Sequence, residues 1–145
     1  MAINTQQANQ SDAEIILKLY DLRRESVMRE SRLRVLMEFS PNSFDEAAAI
    51  MDPKHPLNAC FRQTSTYWEM NFSLAKHGAV NFDLLVENSG EGLFLYGKFE
   101  PFLEELRAKR SPTMFTNTSW VIENSPWAEE RMKMIRQRIA QMKAS

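Results

Sequence analysis

A chain of 145 residues with 43% hydrophobic and 26% charged side chains has enough apolar mass for one soluble domain, burying roughly 68–70% of its unfolded surface without disulfides or metal. Four Gly and six Pro are too few for collagen-like, linker-like or turn-dense all-β architectures. The single Cys60 excludes an intramolecular disulfide and any zinc site that needs two thiolates from one chain, and it fits a reducing compartment. The net charge of −1 is unevenly laid out. It is balanced over 1–40, ten acidic against four basic over 41–105, and three acidic against eight basic over 106–145. The C-terminal segment therefore suits an acidic protein surface better than nucleic acid.

Residues 1–10 are polar and lack apolar periodicity, which predicts a disordered arm; they show neither the charged and apolar regions of a signal peptide nor an anchor. No window of eighteen apolar residues occurs and the mean hydropathy is −0.44, so no transmembrane segment and a cytoplasmic location are expected. Ser11 and Asp12 offer an N-cap for a first helix whose Ile15, Ile16, Leu19, Tyr20 and Leu22 fall at helical spacing. Arg23 to Ser26 interrupts that stripe, and Ser26 can cap a second helix through Met28, Leu33, Leu36 and Phe39. Ser43 and Glu46 have the form of a capping box, opening a short helix that Asp52 to Pro56 ends.

Residues 57–77 carry the strongest pattern. Leu57, Cys60, Phe61, Thr64, Trp68, Phe72 and Ala75 form one stripe, widened by Tyr67, Met70 and Leu74. A face so wide needs partners on more than one side, which places this helix at the centre of the core, with Gly78 as its left-handed stop. Asn81 caps a short helix over 83–86, closed by Asn88, Ser89 and Gly90. Leu95, Phe99, Phe102, Leu103 and Leu106 hold helical register across Pro101, predicting a kinked helix. Ser111 and Pro112 signal another start, against a following run of Thr and Val that favours helix poorly. Ser125 and Pro126 open a last helix over 126–145, with Glu129 and Glu130 early and Arg136, Arg138 and Lys143 late, as the helix dipole prefers. The expected fold is all-α: a single-domain helical bundle over 11–145 with about six to eight helices and residues 57–77 at its centre.

Leu19-Tyr20-Asp21-Leu22-Arg23-Arg24-Glu25, Tyr67-Trp68-Glu69-Met70, His77-Gly78-Ala79 and Phe99-Glu100-Pro101-Phe102-Leu103 together resemble a family of uncharacterised bacterial all-helical proteins of about this length. The resemblance spans roughly residues 15–107. It implies a bacterial origin and a helical fold, and carries no catalytic residue. Where this chain has Ser26 a proline is common in that pattern, which implies a break between the first two helices.

No catalytic, cofactor or metal site is expected. Gly90-Glu91-Gly92 lacks the third glycine, the lysine and the preceding strand of a phosphate loop. His55 and His77 lie outside the helical metal spacings. Adjacent carboxylates such as Glu104-Glu105 and Glu129-Glu130 point about 100° apart and cannot share a substrate atom, and Cys60 reads as a small buried thiol.

Two surfaces are candidates for function. The basic run Arg23, Arg24, Arg29, Arg32 and Arg34 reads first as a solvated face and second as an anion or RNA contact. No aromatic side chains are interleaved with it, which argues against single-strand binding, and the basic excess is too mixed for duplex DNA. The basic amphipathic helix presents Trp127, Met132, Ile135, Ile139 and Met142 on or near one face, which could cover its own domain, a second copy or a lipid surface. The leading expectation is a non-catalytic protein acting through protein–protein contact, as a homodimer built on that helix. The alternative is a small-ligand-binding or regulatory protein with a pocket between helices, drawing on Arg23, Arg24, Tyr67, Trp68 and His77.

Overall fold

The structure, a computed structural model, describes residues 3–145. Nine α-helices carry the described residues: α1 (Gln10–Arg23), α2 (Ser26–Glu38), α3 (Phe44–Ala49), α4 (Asn58–Lys76), α5 (Phe82–Glu87), α6 (Gly90–Phe99), α7 (Leu103–Lys109), α8 (Thr116–Asn124) and α9 (Pro126–Ala144). A single 3₁₀ turn, Glu100–Phe102, separates α6 from α7. The helix kinked at Pro101 is therefore two helices: proline removes a backbone donor, and the chain takes a tight turn there instead of bending. Among the described residues no helix is long and apolar enough to cross a membrane.

α4 is central. α2 and α8 pack on it most extensively, with α5 and α6 on its remaining sides, and Trp68, Phe72 and Ala75 are fully enclosed. The second inner helix is α6, which lies between α4 and α9 and buries every residue from Leu95 to Phe99. Two glycines permit this close approach. A Cβ on Gly92 would stand 2.8 Å from Trp68 and 2.9 Å from Phe72, and one on Gly97 would stand 2.8 Å from Ile135 and 2.9 Å from Ile139. Gly90, expected with Asn88 and Ser89 to close the preceding helix, instead opens α6, and of the two glycines in that first turn it is Gly92 that packing requires.

Several caps differ from the sequence reading. Asn9, not Ser11, caps α1: the Asp12 N–H donates to Asn9 Oδ1 at 3.0 Å and the Asn9 N–H to Asp12 Oδ2 at 2.9 Å, a reciprocal box that starts the helix two residues earlier. Asp12 is buried there, and its other oxygen accepts the Asn81 N–H at 2.9 Å, tying α1 to the start of α5. Glu25, not Ser26, caps α2, because its longer side chain reaches both the Val27 and Met28 N–H groups, at 3.1 and 3.0 Å. Ser43 caps α3 as expected, but Glu46 takes the Asn42 N–H at 2.7 Å, one residue before the box position. Gly78 is left-handed, with φ of 71°.

Of the arm expected over 1–10, residues 1 and 2 lie outside the described residues. Within the rest, Ile3 packs on the core, Asn4 C=O accepts the Phe82 N–H at 2.9 Å, and Gln6 C=O accepts from the Asn81 side chain.

Candidate functional site

The end of α1, the start of α2 and the first turn of α6 meet at one corner. Arg32 holds it together. Its Nε and Nη2 donate to the two Glu91 oxygens at 2.7 and 2.5 Å, and its Nη1 to the Arg23 carbonyl at 2.9 Å. One guanidinium thus joins three helices with the planar fork that lysine lacks. Glu91 holds the Arg32 pKa above its ordinary value, chiefly through these hydrogen bonds. Trp68 Nε1 also donates to Glu91 Oε1, at 3.2 Å, so the corner is anchored to α4.

Above this anchor lies a cleft of about 490 Å³ walled by Arg23, Arg24, Arg29 and Arg32, with Tyr20 on one side and the Gly90–Glu91 turn on the other. The Arg23 guanidinium lies 5.0 Å from the Tyr20 ring centroid and 5.2 Å from that of Trp68, and Arg24 lies 5.5 Å from Tyr20. These rings orient the cations without neutralising them. Among the described residues Arg23, Arg24 and Arg29 form no ion pair within 4.0 Å. Ser89, which precedes α6, donates its hydroxyl to Leu85 C=O at 2.7 Å and leaves the first amides of α6 without a side-chain cap, so that helix end adds positive potential to the cleft. The cleft runs past Gly90 and Glu91 into a groove between α6 and α9 that contains Arg131 and Arg138.

The structure brings together part of the ligand-contact set expected from sequence. Arg23 and Arg24 line the cleft. Tyr67 and Trp68 lie beneath it as buried supports: the Tyr67 hydroxyl donates to Leu19 C=O at 2.5 Å, which fixes α1 on α4. His77 is not part of the corner. It is the exposed C-cap of α4, ten residues and roughly 15 Å along the axis from Tyr67. Arg34 leaves the basic run as well, pairing with Glu38 at 3.0 Å and contacting Cys60 Sγ at 3.9 Å. The expectation of arginines without aromatic neighbours is corrected at Tyr20, whose ring meets Arg23 and Arg24 because i, i+3 and i+4 positions share a helix face.

The residues expected to form an interface on α9 divide. Met132 and Ile135 are buried within the same chain, Ile139 is half-buried, and all three approach α6 at Gly97. Trp127 and Met142 stay 40% and 43% exposed. The apolar stripe of α9 is thus largely consumed by its own domain, and its rim is fixed by Arg136, which pairs with Glu100 at 2.7 and 2.8 Å.

Away from the corner, Lys98 is buried and donates to Phe39 C=O at 2.6 Å, at the end of α2. Burial, with Lys143 nearby, pushes its pKa down to about 8. Cys60 is buried. Among the described residues no three His, Cys, Asp or Glu side chains converge as metal ligands would.

No curated protein and no solved structure matches the chain. Residues 10–125, covering α1 to α8 and ending one residue before α9, match a family described as a domain of unknown function, DUF4760, and the chain belongs to that family.

Proposed function

We propose that this chain is a non-catalytic binding protein for a small anion, held in the cleft at the α1, α2 and α6 corner. The observation that carries the reading is Arg23: a half-buried guanidinium, stacked on Tyr20 and Trp68, that lines the cleft and forms no ion pair among the described residues. A cation fixed in place and left without a counter-charge is pre-organised for an incoming one. Glu91 supports this arrangement by pairing with Arg32 and with none of the other three arginines; Arg23 Nη1 reaches only the Asn88 carbonyl, at 3.4 Å.

Calorimetric titration with inorganic phosphate tests the proposal. Binding that weakens about tenfold in Arg23→Gln and falls with added salt supports it. No heat at millimolar phosphate, or equal binding by parent and variant, overturns it.

A second reading, protein–protein contact, rests on α2, where Leu33 and Met37 stand one turn apart and are 62% and 72% exposed. Light scattering checks it: a dimer at micromolar concentration that Met37→Glu dissociates. A bacterial origin and a cytoplasmic setting belong to the same proposal, on the strength of the resemblance and the single thiol.

A further inference from the structure

Beside the arginine cleft is a second, smaller cavity of about 120 Å³. The two share Tyr20, Arg23 and Asn88 as walls, so a molecule seated on the arginines can extend into the cavity. Its aliphatic wall comes from Ile16, Leu17, Leu19 and Leu85, and its polar wall from Arg23, Asn88, Ser89 and Asn71. Asn71, on α4, is only 2% exposed, and its Oδ1 has no hydrogen-bond partner among the described residues.

An unpartnered amide oxygen at such depth is costly, because removing it from water without a replacement donor forfeits its solvation. Asparagine is also a poor choice for the inner face of a central helix unless something uses the amide. Thr64 Oγ1 on the same helix is likewise unpartnered, but it is not among the residues lining this cavity. Asn71 is the case in which a buried acceptor, an adjoining space and a neighbouring unpaired cation coincide.

We infer that the Asn71 cavity is the recognition subsite for the uncharged body of an organic anion whose charged group sits on Arg23 and its neighbours. This rests on the anion-binding reading above and names the ligand class. Size limits the body. A cavity of roughly 150 Å³ holds a benzene ring and each water of liquid occupies roughly 30 Å³, so this one takes a body of about four to six non-hydrogen atoms and excludes a whole purine. Chemistry sets the rest: aliphatic walls accept a short carbon chain, and Asn71 Oδ1 requires an O–H or N–H donor at its end. The class is a small phosphate monoester or carboxylate carrying a hydroxyl or amino group three or four bonds from the anion.

The test uses the full chain and three probes: inorganic phosphate, n-butyl phosphate and 3-hydroxypropyl phosphate. The two esters have bodies of equal length and differ in a terminal methyl against a hydroxyl. Calorimetry of the parent should give 3-hydroxypropyl phosphate at least a tenfold tighter Kd than butyl phosphate, the range a satisfied buried acceptor provides. In Asn71→Leu, which keeps a branched side chain of four heavy atoms and removes the amide, that preference should vanish while phosphate binding persists. Because the variant could misfold, the side-chain amide resonance of Asn71 in the parent is a second readout: it should shift with 3-hydroxypropyl phosphate and not with phosphate alone. If all three probes bind equally and leave that resonance unmoved, the subsite is overturned while the arginine cleft stands. If none of the three binds, the subsite and the anion-binding reading fall together.

Discussion

Glu69 on α4 and Thr118 on α8 are joined twice: the Thr118 N–H donates to Glu69 Oε1 at 2.9 Å, and the Thr118 hydroxyl donates to the same oxygen. The other carboxylate oxygen accepts the Asn117 N–H at 3.1 Å. α8 has no side-chain cap of its own; its N-cap residue is Phe115, held at φ 55° with its ring against Tyr96 and Phe99. A residue distant in sequence thus supplies the acceptors that a local Ser or Asp normally provides. Glu69→Ala should cost about 1–3 kcal/mol, the range of a cap with charged hydrogen bonds. Urea denaturation measures the cost, and hydrogen exchange should speed at Asn117 and Thr118 first. Unchanged protection at those amides would show that packing alone holds α8.

At Gly92 helix propensity and packing oppose each other. Alanine gains about 1 kcal/mol in a helix interior, yet its Cβ would lie 2.8 Å from the Trp68 ring and 2.9 Å from Phe72, both buried. Overpacking of this kind typically costs about 1–3 kcal/mol. Gly92→Ala should therefore lower the Tm. A raised Tm would mean that α6 and α4 can separate at little cost.

The Arg32–Glu91 pair predicts two effects of opposite sign. Both side chains are about one-fifth exposed, so breaking the pair should cost about 1–3 kcal/mol, between exposed and fully buried cases. Glu91→Gln should lower stability by this amount and, by freeing Arg32 and removing a negative charge from the cleft, tighten phosphate binding. Stability and affinity falling together would mean that Glu91 shapes the cleft more than it opposes the ligand.

Lys98 gives the chain a distinct alkaline behaviour. Burial lowers its pKa from 10.5 to about 8, so between those values the unfolded chain keeps a proton that the folded chain has lost. Where the unfolded state binds more protons, stability rises with pH. The parent should gain up to about 3 kcal/mol across this window relative to Lys98→Met, with the difference between the two constant below pH 7. A flat difference curve would place the ammonium in better contact with water than its burial implies.

How much was readable in advance follows from the range of the interactions. Residues 57–77 announced their place because Trp68, Phe72 and Ala75 repeat at helical spacing, a local property. Ser125 and Asn81 were legible as caps for the same reason: each accepts from an amide three residues on, Ala128 and Leu84. α8 was obscure because its cap comes from Glu69, across 49 residues. The site was half-legible. The arginines stood out as a cluster, but which remained unpaired depended on Glu91, 59 residues from Arg32. Asn71 carried no signal at all, since an asparagine within an apolar stripe acquires meaning only once a cavity is seen beside it.

The docking of α9 against Gly97 has a consequence for how the chain is made. A ribosome delivers residues in order, at about 5–20 per second. The α6 face around Gly97 therefore waits about 2–8 s, the time to synthesise the stretch up to Ile139, before Met132, Ile135 and Ile139 can reach it. During that interval a nascent chain with α4 and α6 already available still presents a bare apolar strip, the kind of surface that chaperones and neighbouring nascent chains bind. A slow codon run within α9 would lengthen this exposure while changing no amino acid, so soluble yield would respond to translation speed over residues 126–139 with the native stability unaltered.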